Sequence, residues 1–186
     1  MSEDRVMAAP NFTLFDTPIG ACALVWGAHG LVGALLPDAT PAATREHVRR
    51  RHPLARESAP PSEVERVIAR IVALLRGEAD DLRDIELDLS AVPAFHRRVY
   101  EVARAIGPGS TLTYGEVAAR LGEPHAARAV GQALGANPFP IIVPCHRVLG
   151  RAGHSGGFSA PGGTRTKLRL LEIERAPLGG TPGLFD

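Results

Sequence analysis

The sequence predicts an α+β protein: a small antiparallel sheet with helices over residues 1–91, then a mostly helical region over 92–176 that carries a helix-turn-helix, and a loose tail over 177–186. Three observations carry that prediction. Short apolar runs separated by glycine-bearing turns fill Asn11 to Leu36, helical periodicity takes over at Pro93, and a glycine-rich stretch from Gly153 to Gly163 precedes a last helix. The 186 residues, 45% hydrophobic and 22% charged, suffice to bury a core. No apolar run approaches the ~18 residues of a membrane-spanning helix. The start, MSEDRVMAAP, lacks the basic-then-apolar order of a secretory signal, so a cytoplasmic protein with no membrane partner is expected. Its 20 Arg against one Lys suggest a GC-rich, bacterial coding sequence.

In the first region, apolar stretches lie around Phe12 and Leu14, from Cys22 to Trp26 and from Leu31 to Leu36. Thr17-Pro18-Ile19-Gly20 and Ala28-His29-Gly30 break them, which reads as an antiparallel meander. Thr40 before Pro41 supplies a cap and a first-turn proline for a helix that runs to His52 and stops at Pro53. Ser62 with Glu65 predicts a capping box, and Val64, Val67, Ile68, Ile71, Leu74 and Leu75 keep helical spacing until Gly77. Ile85, Leu87 and Leu89 alternate with Glu86, Asp88 and Ser90, which predicts one more half-buried strand. A boundary is expected near Ala91 to Pro93.

Beyond it, Phe95, Val99, Val102 and Ile106 line one helical face, and Gly107-Pro108-Gly109 stops them. Thr113 and Glu116 predict a capping box ahead of Val117, Ala118 and Leu121, and Gly122 ends that helix. After Glu123-Pro124-His125, the segment Ala126 to Ala136 is small and helix-compatible, giving helix, turn, helix with Arg128 as its prominent cation. Leu168, Leu170 and Leu171 give the last helix its apolar face.

The net charge of +1 divides into −4 up to residue 90 and +5 beyond it. A basic second half suits phosphate backbones, and equally a solvated surface. Two cysteines cannot build a disulfide framework, and neither lies in a CxxC or Cys/His cluster of zinc type, so no metal is expected on them; no cofactor is expected either. Cys22, in Ala21-Cys22-Ala23-Leu24, alternates like an inert core strand residue.

Cys145 differs. It stands in Asn137-Pro138-Phe139-Pro140-Ile141-Ile142-Val143-Pro144-Cys145-His146-Arg147-Val148, flanked by proline and histidine. A nucleophilic thiol must become a thiolate, which a nearby imidazole or a cation such as Arg147 favours. Pro144 fixes the backbone and removes a donor, so Cys145 is expected at the end of an apolar run and not inside a ladder. A buried structural cysteine is the alternative reading of a lone thiol.

With Thr113-Tyr114-Gly115-Glu116-Val117-Ala118, Arg128-Ala129-Val130-Gly131, Asn137-Pro138, Gly156-Gly157-Phe158 and Lys167 with Leu170-Leu171-Glu172, this stretch resembles the O6-alkylguanine-DNA alkyltransferase family, over roughly Pro93 to Glu174. The resemblance implies a ribonuclease H-like N-terminal domain. It further implies one-step, irreversible transfer of an alkyl group from the O6 atom of guanine in duplex DNA to a cysteine, one lesion per molecule. Cys145 would be the nucleophile, His146 its general base through a water, Glu172 the carboxylate orienting the imidazole, and Tyr114 the donor to the departing base. Val143, Val148, Gly156, Gly157 and Ser159 would form the base pocket, and Asn137 would support the turn leading to Cys145.

The lesion base must be extruded from the stack to reach the thiol. Arg128 would fill the gap it leaves, on a helix lying in the minor groove, with Thr113, Ala126, Ala127, Ala129, Gly131 and Arg147 at the DNA. No set of base-reading side chains is visible, so weak sequence preference is expected. Taken singly, Arg128 could be a solvated arginine and Tyr114 a surface tyrosine. Ser159-Ala160-Pro161 makes the glycine-rich loop about two residues longer than the family pattern, which puts tolerance of bulky alkyl groups in doubt. A monomer is expected, and Gly183-Leu184-Phe185-Asp186 has a faint likeness to peptides that dock on a sliding clamp. Competing readings are a lesion-binding sensor, in whose family Trp replaces the nucleophile, a helix-turn-helix transcriptional regulator, and a cysteine hydrolase.

Overall fold

The computed structural model describes residues 8–154 and 156–177; the clamp-like Gly183 to Asp186 and the tail from residue 178 lie outside the described residues. The architecture is α+β, a small sheet with six α-helices among the described residues. Strands β1 (Asn11–Thr17), β2 (Gly20–Gly27) and β3 (Gly30–Leu35) form the antiparallel meander. A short β4 (Arg56–Glu57), which the sequence did not betray, adds to β1 in parallel, so the order is β3-β2-β1-β4. Helix α1 (Pro41–Arg51) starts where expected, with the Thr40 hydroxyl accepting from Ala43 N, and packs Thr44 and Val48 inward.

Two local expectations fail. Helix α2 (Ser62–Leu75) has Pro61 as its N-cap, so Ser62 is already helical and its hydroxyl caps nothing. Residues 85–89 form no strand; they touch the outer edge of β3 at one parallel bridge, Leu31 to Leu87, with Asp88 N donating to Leu31 O at 2.7 Å. The rest of that edge is taken: Ala34 N donates to Pro138 O at 2.9 Å, which ties β3 to the segment leading to Cys145.

Helices α3 (Ala94–Arg104), α4 (Tyr114–Arg120), α5 (Ala127–Gly135) and α6 (Thr164–Ile173) build the second region, and β5 (Leu112–Thr113) pairs in parallel with β6 (Val148–Leu149). Tyr100 on α3, 1% exposed, donates its hydroxyl to Ala133 O at 2.8 Å and fixes α5. One contiguous core runs from Leu24, Trp26 and Leu74 to Tyr100, Val117, Val130 and Ile142. Cys22 is buried on β2, its thiol pushed up to about 12 by desolvation. No helix among the described residues is long and apolar enough to cross a membrane.

Candidate active site

After α5, the chain descends into the core and returns at Cys145. The Asn137 side chain holds both ends of the descent, accepting from Phe139 N and donating to Val143 O, each at 2.9 Å. Phe139, Ile142 and Val143 are buried, and Ile141 is held at φ 75°, a left-handed conformation strained for a β-branched residue. Pro144, at φ −80° and ψ 65°, forms an inverse γ-turn closed by Cys145 N to Val143 O at 2.8 Å. The 3-10 turn Cys145–Arg147 follows and runs straight into β6. Because β6 pairs with β5, and the Thr113–Glu116 capping box starts α4 at the end of β5, Tyr114 is placed beside the same turn.

Within that turn Cys145 is partly exposed, whereas His146 and Arg147 are each 1% exposed. His146 Nε2 lies 2.9 Å from Glu174 Oε1, and its Nδ1 is buried without a hydrogen-bond partner among the described residues. Burial alone would raise the Glu174 carboxyl, but hydrogen bonds from His146 and Arg147 and the Arg147 charge hold it at about 2. Desolvation keeps the imidazole below its ordinary value despite Glu174. A neutral ring donating Nε2–H to a carboxylate presents Nδ1 as an acceptor, the form a general base needs.

The Cys145 thiol is pushed up by burial, against which work an Asn137 hydrogen bond, the Lys167 charge and the backbone amides of Cys145 and His146. Lys167 is 0% exposed, donates to Val148 O at 2.6 Å, and stands 5.8 Å from the Tyr114 ring centroid and 6.0 Å from that of Phe158. Desolvation lowers its ammonium to about 8. Burial, and then the Cys145 charge, raise the Tyr114 hydroxyl, which keeps it a proton donor at neutral pH.

Two expectations are corrected. Glu172 does not orient His146: its side chain is 56% exposed and 3.8 Å from Arg169, on the outer side of α6. Glu174 takes that place because Lys167, Leu170, Leu171 and Glu174 follow i, i+3, i+4, i+7 and share the inner face, a periodicity already present in the sequence. Nor does Arg147 reach a DNA surface or lend Cys145 a free cation. It is buried and bidentate on Glu174 at 2.7 and 2.9 Å, with Nη1 on Ile106 O at 2.6 Å. Lys167, seen in the sequence only as part of a motif, is the cation facing the thiol.

Of the other candidates, Arg128 is exposed on α5, Ala126, Ala127 and Ala129 are partly buried around it, and Thr113 is engaged as the cap of α4. Gly131 turns toward Tyr114, with a Cβ there 3.8 Å from the ring, and Gly156 lies against the Tyr114 hydroxyl, where a Cβ would come within 2.8 Å. Gly157 faces open space, and Ser159 Oγ donates to Gly135 O at 2.9 Å. The Val143 carbonyl is occupied by Asn137 and Cys145 N, and the Val148 carbonyl accepts from Lys167 Nζ. A cleft lined by Leu134, Asn137, Cys145, Phe158 and Ser159 opens the thiol to the surface. Among the described residues no three His, Cys, Asp or Glu side chains cluster to hold a metal.

This is a thiol beside an imidazole held by a carboxylate, a phenol and a buried cation, at the end of an open cleft. Residues 94–176 match the family described as 6-O-methylguanine DNA methyltransferase, DNA binding domain. A methylated-DNA–protein-cysteine methyltransferase of Methanothermobacter thermautotrophicus is 36% identical over 88% of this chain and 84% of its own; that of Mycobacterium bovis is 35% identical over 95% and 99%. In structure the chain is similar to Mycobacterium tuberculosis OGT in complex with DNA, with a TM-score of 0.70 and 35% identity over 90% of this chain and 95% of that one. It is also similar to the O6-methylguanine-DNA methyltransferase of Pyrococcus kodakaraensis, with a TM-score of 0.68 and 29% identity over 88% and 98%. In sequence and in fold, over most of its length, the chain matches these methyltransferases, and it belongs to the methylated-DNA–protein-cysteine methyltransferase family.

Proposed function

We infer that the protein repairs DNA by moving an alkyl group from the O6 atom of guanine to Cys145 Sγ. The observation that carries the reading is the His146–Glu174 lock, which leaves Nδ1 as a bare acceptor one residue from the thiol. His146 removes the Cys145 proton through a water, and the Glu174 carboxylate and Lys167 ammonium balance the charges that form. The thiolate then attacks the alkyl carbon, a C–S bond forms as the C–O6 bond breaks, and Tyr114 gives a proton to the guanine that leaves. The product thioether is stable, so each molecule acts once.

The base arrives extruded from a duplex. Helices α4 and α5 serve as a helix-turn-helix, and the small residues around Arg128 let α5 approach the minor groove while Arg128 enters the stack. The base lies between Tyr114, Gly156, Ser159 and the Val148 carbonyl. Asn137 keeps the descent to Cys145 in register, and residues 92–176 form the DNA-binding and transfer unit. The order β3-β2-β1-β4, with the fourth strand parallel to the first, supports a ribonuclease H-like reading of the N-terminal sheet.

The test is intact-protein mass spectrometry after incubation with a duplex containing O6-methylguanine, beside Cys145→Ser. One methyl group gained by the wild type alone and mapped to Cys145 is the expected result. Lesion binding without a mass change would replace repair with a sensor, and the absence of both binding and mass change would overturn the reading altogether.

A further inference from the structure

The first 90 residues carry a net charge of −4, yet within them residues 38–57 hold five arginines against three acids. Three of these, Arg49, Arg50 and Arg51, form the last turn of α1 and are exposed. Among the described residues none of the three makes an ion pair or a side-chain hydrogen bond, whereas Arg45 one turn earlier is paired with Glu57 at 2.8 Å. Basic residues complement the helix dipole at this end. The dipole does not account for the place of Arg51: His47 and Arg51, at i and i+4 on one face of α1, line the same cleft as Cys145, Gly135 and Ser159. Since Gly135 ends α5, the arginine turn borders the place where a nucleotide passing α5 would enter.

We propose that the C-terminal turn of α1, through Arg49, Arg50 and Arg51, is a phosphate-binding surface that holds the DNA backbone beside the extruded nucleotide. The proposal rests on the alkyl-transfer reading and extends it to the N-terminal sheet region, where net charge alone points away from DNA. The ligand is the duplex backbone because Arg51, without an ion pair among the described residues, lines the cleft holding the thiol, and Arg49 and Arg50 extend the positive charge from it around the exposed end of α1. Such contacts position the strand and read no sequence.

The experiment compares wild type with Arg51→Gln and with the triple Arg49→Gln/Arg50→Gln/Arg51→Gln variant, each first shown to keep the wild-type thermal transition. Transfer is measured on a duplex carrying O6-methylguanine and on free O6-benzylguanine, a reactive benzylic substrate without phosphates. Equilibrium binding to the duplex is followed between about 50 and 200 mM salt; the slope of log K against log salt should lose about one unit per phosphate contact removed. The expected result is a duplex rate that falls several-fold in Arg51→Gln and further in the triple variant, while the free-base rate changes less than about twofold. Unchanged duplex rate and salt slope would overturn the proposal. A parallel fall on both substrates would also overturn it, since the arginines would then be shaping the cleft. If wild type transfers nothing from the duplex yet loses salt-dependent binding on substitution, the transfer reading fails and the phosphate surface stands.

Discussion

His146 and Glu174 meet at 2.9 Å through side chains that are 1% and 3% exposed, and Arg147 closes the group on the same carboxylate at 2.7 Å. Three ionisable groups thus share one dry site, and the carboxylate serves the other two. Glu174→Ala should leave the Arg147 charge buried and unpaired, costing about 3–5 kcal/mol. Glu174→Gln keeps the shape but not the charge, and should slow methyl transfer more than tenfold at neutral pH. Glu172→Gln, on the exposed side of α6, should shift stability by less than ~0.5 kcal/mol and leave transfer intact. Chemical denaturation and single-turnover rates check both; a transfer loss in Glu172→Gln with none in Glu174→Gln would reverse the assignment.

The same group sets a pH dependence. His146 is held below its ordinary 6.5 in the folded protein, so the unfolded chain binds its proton first, and stability present above about 6.5 declines as pH falls. Glu174 is held at about 2 against an ordinary 4.5, so its contribution is present above 4.5 and is lost as pH falls toward 2. Both act in one direction. Denaturation midpoints from pH 8 to 3 should fall in two stages, and Glu174→Gln should remove the lower one. A flat profile between pH 6.5 and 3 would contradict this electrostatic reading.

Where the pattern is local, sequence and structure agree. The meander, the Thr40–Pro41 helix start and the Thr113–Glu116 capping box all depend on residues within a few positions of one another. The Ser62–Glu65 box has the same signature and fails, because the cap position falls on Pro61 and Ser62 is already the first helical residue. At the site, Cys145 and His146 were legible from their adjacency. Their partner was not, because choosing between Glu172 and Glu174 requires the phase of α6, which Lys167, Leu170 and Leu171 fix only when read as one stripe. Arg147 was misread because a charged residue beside a cysteine looks exposed until its carboxylate, 27 positions away, is seen to bury it. The parallel β4 is two residues long and offers no periodicity at all.

Gly156 sits at φ +62°, and a Cβ there would meet the Tyr114 hydroxyl at 2.8 Å. Gly156→Ala should therefore cost about 1–2 kcal/mol for the left-handed conformation and displace the phenol as well. The expected outcome is transfer reduced at least tenfold with duplex binding retained, because α5 and Arg128 are untouched. Transfer assays paired with binding to unmodified duplex separate the two effects; wild-type transfer would remove Tyr114 from its role as proton donor.

Lys167 is the only lysine of the chain and is fully buried, where desolvation lowers its ammonium to about 8. It remains largely charged at neutral pH and faces a thiol that burial pushes up. Replacing it by Met keeps much of the volume, removes the charge and leaves the Val148 carbonyl without its donor. An opposite charge at close range is worth one pKa unit or more, and one unit is about tenfold in thiolate at a given pH. Cys145 in Lys167→Met should thus react with iodoacetamide about tenfold more slowly at pH 7. Cys22 will not confuse the measurement, since it is buried and its thiol is pushed up to about 12. The deficit should narrow as pH rises through about 8, because the wild-type ammonium loses its own proton there and with it the advantage over methionine. A deficit that stays constant from pH 6.5 to 9.5 would mean that Lys167 acts by packing against Tyr114 and Phe158, not by charge.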